Sequence, residues 1–295
     1  MTRYFKYFSI SIFFLIFLCN LSNVYSNEIS KYSLVLKGEF SQGSILFAEI
    51  HGVSQEATGT VTFNNNEYDF ENDKNTLFTS IPVGLATKPG DYKVAVNIEE
   101  DGNKYSFSRT INIKSKSYGT QQLWMSEDQL AKYDNPQADR DNDAIIEALK
   151  AGVDDIEWTS QFIKPVQGRT STGYGLRRYY NDDPEPEFHK GIDIASWNGC
   201  NIVAPQNAIV VMARENLVLH GTLVVLDHGR GVGSIYLHMG SICVKEGQYV
   251  KQGQVIGTIG SSGASTGPHL HWATYSHGVP VNPWQLFAVP SSWVK

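Results

Sequence analysis

Apolar and polar residues follow different rhythms in successive parts of this chain. Residues Ile12 to Cys19 form an unbroken apolar run behind Arg3 and Lys6, and no charge follows until Glu28. The run is too short to cross a bilayer as a helix. With Val24-Tyr25-Ser26 at a cleavable position, residues 1–26 read as a secretory signal peptide, with an uncleaved anchor as the alternative. A lipid anchor on Cys19 is disfavoured, because Leu18 stands where such a signal needs a small residue.

From residue 30 to 115 the pattern is one of short strands. Tyr32 to Leu36, Thr60 to Phe63, and Tyr105 to Phe107 followed by Ile111 to Ile113 are rich in alternating, β-branched or aromatic positions. Asp91 to Ile98 alternates most cleanly. Asn64-Asn65-Asn66, Pro89-Gly90 and Asp101-Gly102-Asn103 supply turns between them. Several short strands so spaced predict a small β-sandwich over 27–115. The stretch Ile81-Pro82-Val83 through Asp91-Tyr92 resembles bacterial immunoglobulin-like modules. Residues 116–160 turn polar and acidic. They carry one helical pattern, Ala144 to Lys150, which Asp141, Asn142 or Asp143 can cap and Gly152 can end. Asp139, Asp141 and Asp143 do not make a calcium loop, because Ala144 replaces the turn glycine and Lys150 the closing glutamate. A helical linker is predicted. From 161 to 295 strand patterns return at Ala208 to Met212, Leu223 to Leu226 and Val255 to Ile259, with dense glycines from Gly229 to Gly267. The whole reads as an all-β chain of two β units, each expected to fold independently.

Removing residues 1–26 leaves 22 basic and 30 acidic residues, a net charge of −8. That balance argues against nucleic acid as a partner, and against a membrane surface once the signal is cleaved. Cys200 and Cys243 then remain, either as a disulfide of an oxidising compartment or as two small hydrophobes.

Seven of the 8 histidines, all but His51, lie in the C-terminal unit. Two groupings stand out. In His189-Lys190-Gly191-Ile192-Asp193, a strand is favoured and positions i and i+4 share a side. In His269-Leu270-His271, a strand places both imidazoles on one face. Two imidazoles and one carboxylate make a three-ligand zinc set that leaves a fourth position for water. His220, His228 and His277 read as bystanders, Trp272 as core, and Tyr236 as either core or cleft lining on the face of His238.

The stretch with Gly168-Arg169, Gly173-Tyr174-Gly175, Arg177-Arg178 and His189 to Asp193 resembles the start of the lysostaphin-type (LytM-like) peptidase domain. Ser234 to Met239 resembles its middle motif, Val244 to Gly257 its hairpin, and Ser265 to His271 its closing motif, with Asn282-Pro283 following. The resemblance implies a β peptidase domain with a narrow groove, holding one zinc per chain on His189, Asp193 and His271. It leaves His238 and His269 as the catalytic histidines, His269 for proton transfer and His238 for orienting water or stabilising the tetrahedral intermediate, with the two roles exchangeable. It further implies hydrolysis of peptidoglycan peptides from the periplasm. Two rivals exist. The hairpin from Val244 to Gly253 also resembles biotinyl and lipoyl carrier domains, but lacks their modifiable lysine motif. A catalytically inactive relative that binds cell wall or activates an amidase would have lost ligands, whereas this chain keeps all five residues.

Overall fold

The computed structural model describes residues 25–29, 31–152 and 156–295, the first five by backbone alone. Apart from Tyr25 and Ser26, the signal-peptide segment lies outside the described residues.

Two antiparallel sheets pack face to face in the N-terminal unit. The first orders the strands Tyr25–Ile29, Tyr32–Gly38, Ser44–His51, Thr76–Val83 and Glu71–Asp73 side by side. The second orders Asn66–Asp69, Thr58–Phe63, Gly90–Glu100 and Asn103–Ile113. Leu34, Leu36, Leu46, Ile50 and Leu77 of one sheet meet Val61, Phe63, Val94, Val96 and Ile111 of the other in one buried cluster. The turn at Asp101-Gly102 puts both residues at positive φ, 53° and 72°, between paired Glu100 and Asn103. Two such residues match the right-handed twist of the flanking strands, the geometry of the tight two-residue hairpin. Tyr105 to Phe107 and Ile111 to Ile113 belong to one strand, Asn103–Ile113.

Ser44–His51 and most of Thr76–Val83 are buried on both faces. One face of this pair lies in the sandwich, while Ile45, Phe47 and Phe78 join a second cluster with Ile156, Trp158, Phe162, Val232, Leu286 and Trp293 of the remainder of the chain. Arg230 is buried there over the rings of Phe78, Trp158 and Trp293, and its Nη1 donates to the Trp293 carbonyl at 2.7 Å. The two β units therefore share a core, where the sequence led us to expect independence.

The linker holds more than one helix. Thr120–Leu123 is a strand, α1 spans Glu127–Tyr133 and α2 spans Pro136–Ala151. A capping box between Ser126 and Gln129 starts α1. Asn135 caps α2 with Pro136 in its first turn, so Asp141 to Asp143 lie inside the helix rather than at its start. Only Ala138, Ile145 and Leu149 of α2 are buried, which explains why its pattern is faint before Ala144. Gly152 ends it, as expected, at φ 65°.

The C-terminal unit is a 10-stranded sheet. His269–Ser276 lies in it between Ile192–Ala195 and Val232–Ile242. One face carries a core of Ile192, Ile194, Val224, Tyr236, Leu270 and Trp272. The other packs Leu223, Val225, Ile235 and Tyr275 against Ile145 and Leu149 of α2. Cys200 and Cys243 are free thiols. Among the described residues no helix is long and apolar enough to cross a membrane.

Candidate metal centre

The sheet order sets the site. Asp193 on Ile192–Ala195 pairs directly with His271 on His269–Ser276, and Ala195 with His269. His189 is not part of that strand. It follows the short strand Glu187–Phe188 and turns into Ile192 through Gly191. A Cβ on Gly191 would stand 2.6 Å from the Trp272 carbonyl oxygen and 2.8 Å from His271 Nε2, so only glycine lets this turn lie against the imidazole.

Three donor atoms converge. Asp193 Oδ1 lies 2.9 Å from His271 Nδ1 and 3.1 Å from His189 Nε2, and the two nitrogens are 3.1 Å apart. Among the described residues this is the one group of three or more His, Cys, Asp or Glu side chains able to share an ion. His189 Nδ1 donates to the Gly173 carbonyl at 2.7 Å, which commits its proton away from the cluster and leaves Nε2 a lone pair. Burial pushes the Asp193 carboxyl up, but the adjacent imidazoles of His189 and His271 outweigh it and hold the group well below the usual carboxylate range. Burial lowers His271 to about 4, so its ring is neutral near pH 7. A tetrahedral ion at about 2.1 Å from its ligands needs donors roughly 3.4 Å apart. The triangle is close to that, and two imidazole nitrogens with a carboxylate oxygen suit a divalent cation.

His238 and His269 stand beside the triangle, their ring centres 5.0 Å apart, with His238 6.3 Å from His271. His238 has φ 62°, a left-handed conformation that costs a non-glycine residue about 1–3 kcal/mol. It sits where one extra residue enters Val232–Ile242 opposite Thr222 to Val224. That bulge breaks the alternation expected to put Tyr236 and His238 on one face. Tyr236 is buried in the core, its hydroxyl 2.8 Å from Ser234 Oγ. The two flanking histidines share one arrangement. His238 Nδ1 donates to the Ser262 carbonyl at 2.9 Å and His269 Nδ1 to the Gly267 carbonyl at 2.8 Å, leaving each Nε2 as an acceptor. Burial, and then the neighbouring His271 and His269, lower His238 to about 3.

The remaining histidines of the unit hold structure together. His228 is buried between the Asn207 carbonyl and Ser234 Oγ, at 2.9 and 2.7 Å. His220 Nε2 meets Asn142 of α2 at 3.1 Å, and His277 stacks on Tyr68 of the N-terminal unit at 4.7 Å.

Residues 187–283, which carry all five site residues, match the model of peptidase family M23. This stretch of the C-terminal unit is a peptidase M23 domain. Among curated relatives, the chain is 34% identical over 144 residues to the peptidoglycan DD-endopeptidase ShyA of Vibrio cholerae, covering 49% of this chain and 31% of that protein. It is 41% identical over 119 residues to the murein hydrolase activator NlpD of Salmonella dublin, covering 40% and 29%. The chain thus spans less than a third of the length of these relatives. A solved structure assigned to peptidase M23 from Pseudomonas aeruginosa shares the fold at TM-score 0.61 and 22% identity, over 85% of this chain and 96% of that one. The M23 peptidases are metallopeptidases, so the family implies a metal ion and the donor set here fits one.

Proposed function

We propose that this chain is a secreted zinc metalloendopeptidase, acting in the periplasm, that hydrolyses peptide bonds of peptidoglycan, in its cross-links or stem peptides. The observation that carries the reading is the division of nitrogens: three donors face one point, and two imidazoles beside them keep Nε2 free. His189 Nε2, Asp193 Oδ1 and His271 Nδ1 are the zinc ligands. Zinc held there supplies Lewis acidity, lowering the pKa of water to about 7 and polarising a carbonyl. His269 Nε2 accepts the proton of the attacking water and returns it to the leaving amine. His238 is neutral with its Nδ1 proton committed to Ser262, so Nε2 orients that water by accepting its second hydrogen. That favours orientation over donation to an oxyanion. The substrate class is proposed from the peptidoglycan-directed relatives together with the secretory signal expected over residues 1–26.

Similarity to a murein hydrolase activator makes activation of a separate amidase the second reading. Purified protein incubated with isolated sacculi separates the two. Released muropeptides bearing newly cleaved peptide bonds support the hydrolase. Intact sacculi with metal-loaded protein, followed by digestion only when an amidase is added, support the activator.

A further inference from the structure

Asp193 has a partner outside the ligand set. Arg178, on the strand Arg177–Tyr180, donates from Nη2 to Asp193 Oδ2 at 2.7 Å, while Oδ1 faces the two imidazoles. Arg178 precedes the 187–283 stretch that matches the family model. It is itself held: its Nε donates to Gln121 Oε1 at 3.1 Å. Gln121 belongs to Thr120–Leu123, inside the segment that the sequence presents as a linker.

The contact is built into a sheet. Thr120–Leu123 pairs in parallel with Arg177–Tyr180, with Gln121 directly beside Arg178. Across Arg177–Tyr180 lies Glu187–Phe188, whose next residue is His189. One small three-stranded sheet therefore carries Arg178 and delivers the first imidazole. The linker is also anchored on both sides of the site. Tyr133 of α1 packs on Tyr180 at 5.2 Å, and Lys132 Nζ donates to the Gly263 carbonyl at 2.9 Å, in the loop leading to His269.

A carboxylate with one oxygen on a metal is free to swing about its Cβ–Cγ bond unless the other oxygen is tied. A guanidinium is a rigid planar fork, so fixing Nε on Gln121 also fixes the direction in which Nη2 grips Asp193. We propose that Arg178 is a positioning residue for the Asp193 carboxylate, and that the strand Thr120–Leu123, through Gln121, is part of the metal centre rather than a spacer. The inference rests on His189, Asp193 and His271 being the metal ligands.

The test uses the full chain, with Arg178→Ala, Gln121→Ala, Gln121→Glu and the double alanine variant. Zinc affinity is measured by competition with a chromophoric chelator, and ligand geometry by the visible spectrum of the cobalt-substituted protein. Circular dichroism of the metal-free forms checks folding. Arg178→Ala is expected to bind zinc about 10–100-fold more weakly, with an altered cobalt spectrum, as for other partners of metal ligands. Gln121→Ala should lose less, roughly 3–10-fold, because it acts through Arg178, and Gln121→Glu, which keeps the acceptor, should stay near the parent protein. Adding Gln121→Ala to Arg178→Ala should change nothing further, because Gln121 acts through Arg178. Unchanged or tighter zinc binding by Arg178→Ala with the parent cobalt spectrum overturns the proposal, and so does an additive double variant. Should Arg178→Ala fail to fold, Gln121→Ala, at a partly buried position, decides by the same two readouts. A parent protein that binds no zinc overturns the ligand reading as well. A parent that binds zinc and digests sacculi while Arg178→Ala binds it equally well overturns this inference alone.

Discussion

Three of the four histidines at the candidate site commit Nδ1 to a backbone carbonyl, and the fourth turns Nδ1 to the aspartate, so what each Nε2 faces separates their proposed roles. His189 gives Nδ1 to Gly173, while His238 and His269 give theirs to Ser262 and Gly267. His271 directs Nδ1 at Asp193. Replacing His189, Asp193 or His271 with Ala should abolish both metal content and hydrolysis. His238→Ala and His269→Ala should keep metal and fold but lose about 10²–10⁴-fold in rate, the usual worth of a positioned acid or base. Elemental analysis beside turnover on soluble muropeptides checks this, and a metal-loaded His271→Ala variant would sink the assignment. Gly191 is a second test at this scale. Its added methyl would meet backbone at the Trp272 carbonyl, which cannot yield as a side chain can. Gly191→Ala should therefore lower stability by about 1–3 kcal/mol, read from denaturant midpoints, and weaken metal binding by shifting His271.

At the scale of elements, α2 is a lid over one face of the C-terminal sheet. Ile145 and Leu149 cover Leu223, Val225, Ile235 and Tyr275, and Leu149 enters the space left above Gly233, where a Cβ would stand 2.2 Å from its Cδ2. Leu149→Ala should cost about 2–5 kcal/mol, the range for truncating a buried leucine. A fragment of residues 161–295 lacks α2 and the strand Thr120–Leu123. Compared with residues 116–295, it should be less soluble, unfold at lower denaturant and bind zinc more weakly. Equal stability and affinity of the two fragments, by denaturation and chelator competition, would show that the linker contributes neither core nor site.

At the scale of the whole molecule, Phe47 and Phe78 of the sandwich and Trp158 and Trp293 of the remainder pack ring against ring, the Phe47 and Trp293 centres 4.9 Å apart. The full chain should unfold in one cooperative calorimetric transition, and two separated transitions would restore the independence expected from sequence. Acid should weaken it. Burial lowers fully buried His228 to about 4, below the 6.5 of an exposed imidazole. The unfolded chain then takes up the proton first, so this stability is complete above about pH 6.5 and lost as pH falls towards 4. The shift corresponds to roughly 3 kcal/mol. Unfolding of metal-free protein between pH 7.5 and 4.5 should show such a slope, and His228→Gln should make it shallower without removing it, because burial lowers His220 and His277 in the same way.

Local chemistry was legible wherever a residue's task is set by its near neighbours. The tight turn at Asp101-Gly102, the clean alternation of Asp91 to Ile98 and the paired imidazoles of His269-Leu270-His271 each follow from side-chain period or backbone freedom over a few residues. The candidate site residues were nameable because spacing within two short segments singles out His189, Asp193, His269 and His271, whereas His238 was named only through the family resemblance. What the tertiary structure alone decided depends on surfaces brought together from far along the chain. Ser44–His51 shows no alternation, because the sandwich covers one face and the C-terminal unit the other. Tyr236 left the face of His238 because a bulge, set by pairing with a neighbouring strand, interrupts the period. Gln121 reaches the site because a four-residue strand finds its partner more than fifty positions later. A pairing at that distance leaves no period in the sequence, since its stabilisation exists only once both strands are in place.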